Sequence, residues 1–494
     1  MSDTDLALAF HEVELDALIR ALAPSEVTGA QPVEIGDLAY DTRGVKKGAL
    51  YFCVPGERVD GHDLAWEAIE RGAVALVVER ILEVNVPQLV VADARAAMAV
   101  AADSFFGEPT KELEVVGVTG TNGKTTTAFL LHAMLESAGH KPGLIGTIEW
   151  IVGGEHRAAP FTTPEAIDLQ RLFREMLDAG DRSVALEASS HGSTLKRLDR
   201  VRFDALVFTN LSQDHLDLHG TMDEYFQAKR RLFTGAQPPP AAVNVGDEWG
   251  RRLASELADV HRAPLVTFGR DAAAEVRPER LELGPRGSSF RTAGIDIETA
   301  LRGSFNVENV LGAVAAGLLL DLDEDAIAAG IAQVSGVPGR FEAVDEGQPF
   351  AVLVDYAHTP DSLETVLRAA RGLGEGRVIA VFGAGGDRDR GKRPLMGRVA
   401  VEHADIVIVT SDNPRSEEPV AIIAEVLQGA GVDVEMDPDR RTAIQRAISL
   451  AEPGDVVVIA GKGHEQGQEI AGDVHPFDDR SVAREALASL GLSS

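Results

Sequence analysis

The sequence predicts an α/β protein of three domains. A small N-terminal α/β domain precedes a central domain with a phosphate-binding loop (P-loop) on a mostly parallel sheet, and a C-terminal, doubly wound, Rossmann-like domain follows. Three observations predict it. The stretch GVTGTNGKTTT (117–127) stands between a short β-branched run, ELEVV (112–116), and a run of helical period, TTTAFLLHAMLESAGH (125–140). After residue 350, apolar runs alternate with helices, and each ends in a polar or glycine cluster. Gly/Pro breaks at GEPTKE (107–112) and GVPGRFEAVDEGQPF (336–350) divide the chain into 1–110, 111–340 and 341–494, in keeping with ~150 residues per domain.

Composition narrows the function classes. Of 494 residues, 45% are hydrophobic and 25% charged, proportions that allow large cores in a water-soluble chain. The formal net charge of -31 disfavours nucleic acid and acidic membranes, so an anionic substrate needs local Lys and Arg. The one cysteine, Cys53, excludes an internal disulfide and a multi-cysteine metal site, and reads as a small buried hydrophobe. The first residues, MSDTDLALAFHEVELDAL, lack the basic flank and apolar run of a signal peptide. No stretch approaches the ~20 apolar residues of a membrane span. A cytoplasmic monomer is expected.

In the first segment, ELDALIRAL (14–22) reads as a helix and DLAWEAIERGAVALVVE (63–79) as helix to strand through Gly72. QLVVADA (88–94) is a strand, with a helix after it through Phe106. Between them, DTRGVKKGALYFCVPGERVDGHD (41–63) is dense in glycine and charge, including Asp41, Thr42, Arg43, Gly56, Arg58 and His62; by composition alone it is a solvated loop region.

The strand–loop–helix at 112–140 is the context a phosphate-binding loop requires. Glycines 117, 120 and 123 let amide N–H groups and the helix N-terminus face an anion. Lys124 is placed to reach terminal phosphates and the Thr125 hydroxyl to hold Mg2+. Val118 stands where the strict GxxxxGK[ST] pattern has its first glycine. SVALEAS (183–189) is a strand ending in Glu187, an expected Mg2+ ligand position. ALVFTNLSQDHLDLHG (205–220) runs from strand into a turn with Asp214, His215, Asp217 and His219, a spacing that without a cysteine does not support a zinc site. YFQAKRRLF (225–233) is an amphipathic helix on which Lys229, by composition, is a surface lysine. Residues 281–301 alternate as antiparallel strands beside the main sheet. Asn306 and Asn309, opening the helix of 303–320, are either helix-start residues or base-reading amides, and spacing does not decide.

In the last segment, the strands AVLVDYA (351–357), RVIAVFGAGG (377–386), ADIVIVTSDN (404–413) and DVVVIAGKG (455–463) end in the clusters AHTPDS, GAGGDRDRGKRP, SDNPRSEEP and GKGHEQG. Ligands of such sheets bind beyond the strands' carboxyl ends. FGAGGD is not a GxGxxG fingerprint, so a dinucleotide cofactor is not expected.

At this point the chain resembles the Mur ligases of bacterial cell-wall synthesis. GTNGKTT (120–126), TTPEA (162–166), EASSHG (187–192), TNLSQDHLDLHG (209–220), AKRRLF (228–233), FNVEN (305–309), GVPGRFE (336–342), DYAHTPDSLE (355–364), GAGGDRDRGKRPLMG (383–397), DNPR (412–415) and GKGHE (461–465) are similar to family motifs, in the family's order. DNPR resembles the members that add meso-diaminopimelate rather than L-lysine.

The resemblance implies an ATP- and Mg2+-dependent amide ligase of peptidoglycan precursor synthesis. ATP would phosphorylate the side-chain carboxylate of D-glutamate in UDP-N-acetylmuramoyl-L-alanyl-D-glutamate, and the amine of meso-diaminopimelate would displace phosphate. By the same resemblance, Gly120, Thr121, Asn122, Gly123, Lys124, Thr125 and Thr126 cradle the phosphates, Asn306 and Asn309 face adenine, and Arg340 and Asp355 meet the rest of ATP. Thr125, Glu187, His215 and a carbamylated Lys229 would hold Mg2+, and Lys124, Lys229 and His358 would serve the chemistry. A carbamate needs a neutral lysine amine, hence a depressed pKa. Asp41, Thr42 and Arg43 fall to the UDP end, and Thr162, Thr163, Ser189 and Arg197 to the muramoyl-dipeptide. Where family members often have glutamine this chain has Leu195, leaving that hydrogen bond missing or supplied by Lys196. Diaminopimelate falls to Arg388, Asp412, Asn413, Pro414, Arg415, Gly461 and Glu465, with Arg415 pairing the second carboxylate that lysine lacks.

Three alternatives stay open: the lysine-adding version of the ligase, a folylpolyglutamate synthase, and a partner-regulated P-loop NTPase. The second is not expected to carry a domain like 1–110. Intact Lys124, Thr125, Glu187 and Lys229 speak against a non-catalytic relative.

Overall fold

The computed structural model describes residues 13–29, 32–56, 59–235, 237–260, 262–284, 286–431 and 434–490. Residues 1–12 of the stretch read against a signal peptide, and Arg58, lie outside the described residues. The chain forms two compact units, one ending at Val116 and resuming over Lys141–Asp204, the other comprising Gly117–His140 and the chain from Ala205 on.

The first unit holds a five-stranded sheet. Its parallel strands Asp37–Ala39, Ala49–Phe52, Ala73–Val78 and Gln88–Val90 lie side by side, with Glu26–Thr28 antiparallel at the edge. Strand Ala49–Phe52 is buried throughout, which is why it reads as an unbroken apolar run. Helices Leu15–Leu22 and Ala94–Phe105 pack their apolar stripes on one face, where Leu18, Leu50, Phe52, Val77, Met98 and Phe105 form a core. Cys53 lies in the core on the other face, buried as expected of a small hydrophobe. The same unit carries Ser183–Glu187 parallel to Pro142–Ile145, an antiparallel meander through Glu149–Val152 and Glu155–Ala158, and the helix Ala166–Ala179.

In the second unit, Ala205–Phe208, Ala241–Asn244 and Leu265–Phe268 are parallel. The strand Glu114–Thr119 leads into the glycine loop, and Thr209 N–H donates to its last carbonyl, Thr119 O, at 2.9 Å. Helix Lys124–Ser137 packs on Ser304–Leu319 and Glu324–Gln333, where Gly317 and Gly330 allow close approach to Met134. The expected antiparallel strands form a three-stranded sheet of their own over Glu279–Gly284, Gly287–Thr292 and Ile295–Thr299.

The C-terminal strands form a six-stranded sheet in the order Glu342–Ala343, Ala351–Asp355, Val456–Ala460, Val378–Phe382, Ile406–Thr410 and Glu435–Asp437. Every pairing is parallel except the first. Cores lie on both faces, one around Leu363, Phe382 and Met396, the other around Ile379, Ile444 and Leu487. This is the doubly wound arrangement expected. A hairpin of Gly467–Ile470 and Asp473–Pro476 was not legible, because its two short strands carry only one large apolar residue each and no apolar alternation.

Candidate active site

The phosphate loop is shaped by two glycines. Gly120 (φ 149°) and Gly123 (φ 84°) lie where L-residues strain, and a Cβ at either would collide with the Thr209 hydroxyl or the Asn309 amide oxygen. Thr121 N–H donates to Asn210 O and Asn122 N–H to Asn210 Oδ1, both at 2.9 Å. Lys124 Nζ curls back onto the Gly120 and Thr121 carbonyls at 3.1 and 2.8 Å. Thr125 and Thr126 are buried at the start of the helix Lys124–Ser137.

Asn306 donates to Arg302 O at 2.8 Å, and its own oxygen accepts from Asn309 at 2.9 Å. The two amides are thus helix-start groups whose remaining atoms border the loop. Arg340 Nη2 donates to Thr125 Oγ1 at 3.0 Å, and the guanidinium lies 4.6 Å from the Tyr356 ring centre. Arg340 Nε is buried with no hydrogen-bond partner among the described residues. A cavity of about 410 Å³ opens beside Asn306 and Arg340, lined also by Leu301, Pro338 and Phe341. A backbone cradle, an unsatisfied guanidinium N–H and a cavity of ligand size fit a nucleotide. Asp355 accepts from Phe341 N–H and Ala357 N–H, both at 2.7 Å; burial pushes its carboxyl up to about 6, against the pull of Arg340.

Lys229 is not a surface lysine. The helix Met222–Arg230 turns it inward, where Nζ donates to Gly120 O at 2.8 Å and sits 4.5 Å from the Tyr225 ring centre. Burial, reinforced by Lys124, drives its ammonium well below the usual lysine range. Nearby, Asp214 stands 3.3 Å from His215 Nε2 and 4.0 Å from His358 Nε2. Burial pushes Asp214 up, but His358, His215 and Lys392 together hold it below the ordinary carboxylate range. Burial likewise depresses His358 and Lys392. Asp214 and Lys392 were not assigned roles from sequence, although both lie in the stretches TNLSQDHLDLHG and GAGGDRDRGKRPLMG.

Among the described residues no three His, Cys, Asp or Glu side chains converge as a self-sufficient metal site. Thr125, buried in the first turn behind the phosphate loop, offers a hydroxyl oxygen of the kind Mg2+ takes alongside phosphate and water.

Glu187 and the residues assigned to the UDP-linked substrate lie in the first unit. Glu187 is buried, its carboxylate accepting from Thr147 N–H at 2.8 Å and Thr147 Oγ1 at 3.0 Å. Thr147 Oγ1 is also 3.0 Å from Thr162 Oγ1. The Thr163 hydroxyl donates to Glu187 O at 2.7 Å and lies 2.9 Å from Ser189 Oγ. Arg197 donates to Thr163 O at 2.7 Å and Glu165 Oε1 at 2.8 Å, while its buried Nε has no partner among the described residues. Lys196 is ion-paired with Asp93, so its ammonium is already engaged beside Leu195. Asp41 and Arg43 pair with each other on the surface, and Thr42 is buried between them. The structure therefore brings together Thr162, Thr163, Glu187, Ser189 and Arg197.

In the second unit, Asp412, Asn413, Pro414 and Arg415 follow strand Ile406–Thr410, and Gly461 and Glu465 follow Val456–Ala460. Asn413 Nδ2 donates to Glu465 Oε2 at 2.9 Å. The fully buried Lys462, which sequence reasoning passed over, donates to Asn413 Oδ1 and Glu465 Oε2, both at 2.8 Å. Arg415 Nη1 donates to Gly386 O at 2.6 Å. Arg388 is exposed on the neighbouring loop.

Fold and site together define a nucleotide-dependent α/β ligase, and the chain belongs to the Mur ligase family. The family's catalytic domain matches residues 34–117, its middle domain 118–317 and its glutamate ligase domain 339–463. These are ATP-dependent, Mg2+-requiring enzymes. Among the relatives, a UDP-N-acetylmuramoyl-L-alanyl-D-glutamate--2,6-diaminopimelate ligase of Geobacillus kaustophilus is 47% identical, covering 94% of this chain and 96% of its own. The protein of the same name from Streptomyces coelicolor is 47% identical over 92% of each. A solved structure bearing that name matches with a TM-score of 0.70 at 32% identity, over 98% of this chain and 100% of that one.

Proposed function

We propose that the chain adds meso-diaminopimelate to the D-glutamate side-chain carboxylate of UDP-N-acetylmuramoyl-L-alanyl-D-glutamate, consuming ATP through an acyl phosphate, in peptidoglycan precursor synthesis. The observation that carries this reading is full-length similarity near 47% to relatives so named, joined to a strand-end cluster of Arg415, Lys462, Asn413 and Glu465 suited to an amino acid with opposite charges at its far end.

A carboxylate is a poor electrophile, and phosphorylation supplies its leaving group; the protein's task is to position two anions and neutralise their repulsion. We assign Gly120 to Thr126 to the phosphates and Asn306, Asn309, Arg340 and Asp355 to the rest of the nucleotide, Asp355 also fixing the Arg340 segment through Phe341 N–H. Thr125, Glu187, His215 and a carbamylated Lys229 are assigned to Mg2+, which supplies charge neutralisation and alignment when bound. The buried, depressed Lys229 amine supports carbamylation, because CO2 reacts with the neutral form. Asp214 holds His215 and His358 in orientation, and His358 faces the transferred phosphate with Lys392 as a nearby cation.

Asp41, Thr42 and Arg43 are assigned to the UDP end and Thr162, Thr163, Ser189 and Arg197 to the peptide; the unsatisfied Arg197 Nε is where a substrate oxygen is expected. Arg388, Asp412, Asn413, Pro414, Arg415, Gly461 and Glu465 are assigned to diaminopimelate. The division into 1–110, 111–340 and 341–494 is supported by the Gly/Pro breaks. We read the chain as a cytoplasmic monomer, the location from the substrate's chemistry and the monomer from the self-repulsion of a net charge of -31. Among the described residues no helix is long and apolar enough to cross a membrane.

The test is a substrate panel. Purified chain with ATP, Mg2+ and the UDP-linked dipeptide is offered diaminopimelate isomers and L-lysine, and product mass is determined. Diaminopimelate-dependent phosphate release with the tripeptide mass is expected; release without any amino acid, or lysine incorporation alone, overturns the reading.

A further inference from the structure

Arg415, assigned above to the distal carboxylate of the incoming amino acid, already faces a carboxylate of its own chain. Glu469 Oε2 lies 3.2 Å from Arg415 Nε, on the strand Gly467–Ile470 of the hairpin that runs beside the DNPR loop. The hairpin holds that loop mainly through its backbone. Arg415 N–H donates to Glu469 O at 3.0 Å, Ala471 N–H to Arg415 O at 2.7 Å, and Glu469 N–H to Asn413 Oδ1 at 3.0 Å. Gln468 Nε2 adds a bond to Asp412 O at 2.6 Å. These bonds fix Arg415 in its left-handed conformation (φ 53°), and Gly386 O fixes one end of its guanidinium. The Glu469 side chain is therefore not needed to place Arg415.

Its carboxylate is instead ion-paired beside Nε without a hydrogen bond, next to the Nε–Nη2 edge that is left for a ligand's two-point pair once Gly386 O holds Nη1. The contact is single and its Glu469 end is 41% exposed, so water screens it and a ligand can displace it.

We propose that Glu469 is a specificity-determining residue for the amino-acid substrate: an internal carboxylate that occupies Arg415 until a diacid displaces it. It also keeps Arg415 paired when a substrate lacking that carboxylate enters, which lowers the penalty against lysine and so softens discrimination. This inference rests on the proposed amide-ligase function and on the assignment of Arg415.

The test is Glu469→Gln in the full chain, which keeps the backbone bonds and side-chain size and removes the charge. With ATP and the UDP-linked dipeptide saturating, KM for meso-diaminopimelate is expected to fall about two- to five-fold at unchanged kcat. The preference for diaminopimelate over L-lysine in kcat/KM is expected to rise, and KM for ATP to stay constant. Glu469→Asp, which keeps the charge on a shorter stem, is expected to fall between the two. An unchanged or raised KM for diaminopimelate, or a preference that does not rise, overturns the inference while leaving the ligase assignment standing. If the wild-type chain consumes no diaminopimelate, the functional reading falls first and this inference with it.

Discussion

Arg340 Nη2 donates a 3.0 Å hydrogen bond to the hydroxyl of Thr125, joining positions 215 residues apart. Arg340 comes from the Gly/Pro-rich segment that follows the middle-domain match, and Thr125 from the first turn of the helix behind the phosphate loop. The same guanidinium has a buried, unpartnered Nε and lies against Tyr356. One cation thus reports to the loop, to the cavity beside Asn306 and, through Asp355, to the first long strand of the C-terminal sheet.

Arg340→Ala is expected to lower kcat/KM for ATP about 10- to 100-fold, the loss of one charge-assisted hydrogen bond of about 1.5–3 kcal/mol. KM for diaminopimelate should hardly move. Steady-state kinetics varying each substrate in turn separates the two, and an equal loss for both would remove Arg340 from the nucleotide site.

Lys229→Ala is expected to cut ligation by about 100-fold or more, as removal of a preorganised electrostatic group at a reacting centre does. Short-chain carboxylic acids or bicarbonate should partly restore it by standing in for the carbamate. Since burial keeps the amine neutral to lower pH than a free lysine, wild-type activity should persist at neutral pH without added base. Near-normal turnover by the untreated variant would refute the metal-ligand assignment.

Asp355 offers a test by pH. Its folded carboxyl titrates near 6 and its unfolded one near the ordinary ~3.9, so the folded state binds its proton more tightly. Its stabilising contribution is fully present below about pH 4 and is lost as pH rises through about 6, a difference of about 3 kcal/mol at most. Chemical unfolding from pH 4 to 8 should therefore show wild type losing stability relative to Asp355→Asn as pH rises from about 4 to about 6, with a constant difference above that. Parallel curves would mean the carboxyl titrates normally.

Arg415→Ala is expected to lose about 1–3 kcal/mol of preference for diaminopimelate over lysine, read as the ratio of kcat/KM values. A larger loss would suit a fully buried charge pair, but Arg415 here shares its charge with Glu469 and the Gly386 carbonyl. An unchanged ratio would take Arg415 out of the selectivity argument.

Much of this protein was legible in its residues. A β-branched run, a glycine loop and a run of helical period gave the phosphate loop, because strand and helix periods and the backbone freedom of Gly120 and Gly123 are local properties. Alternation of buried strands with helices after residue 350 gave the doubly wound sheet for the same reason. What only the tertiary structure decided is which distant groups share a charge. Lys229 looks like any helix lysine until Gly120 O and Tyr225 enclose it, and Lys462 like any loop lysine until Asn413 and Glu465 close over it. Glu469 sits in a short hairpin with no periodic signal, yet its carboxylate is ion-paired with Arg415. Propensity and period act over a few neighbours along the chain, whereas desolvation and Coulomb attraction depend on distances that exist only once the chain has folded.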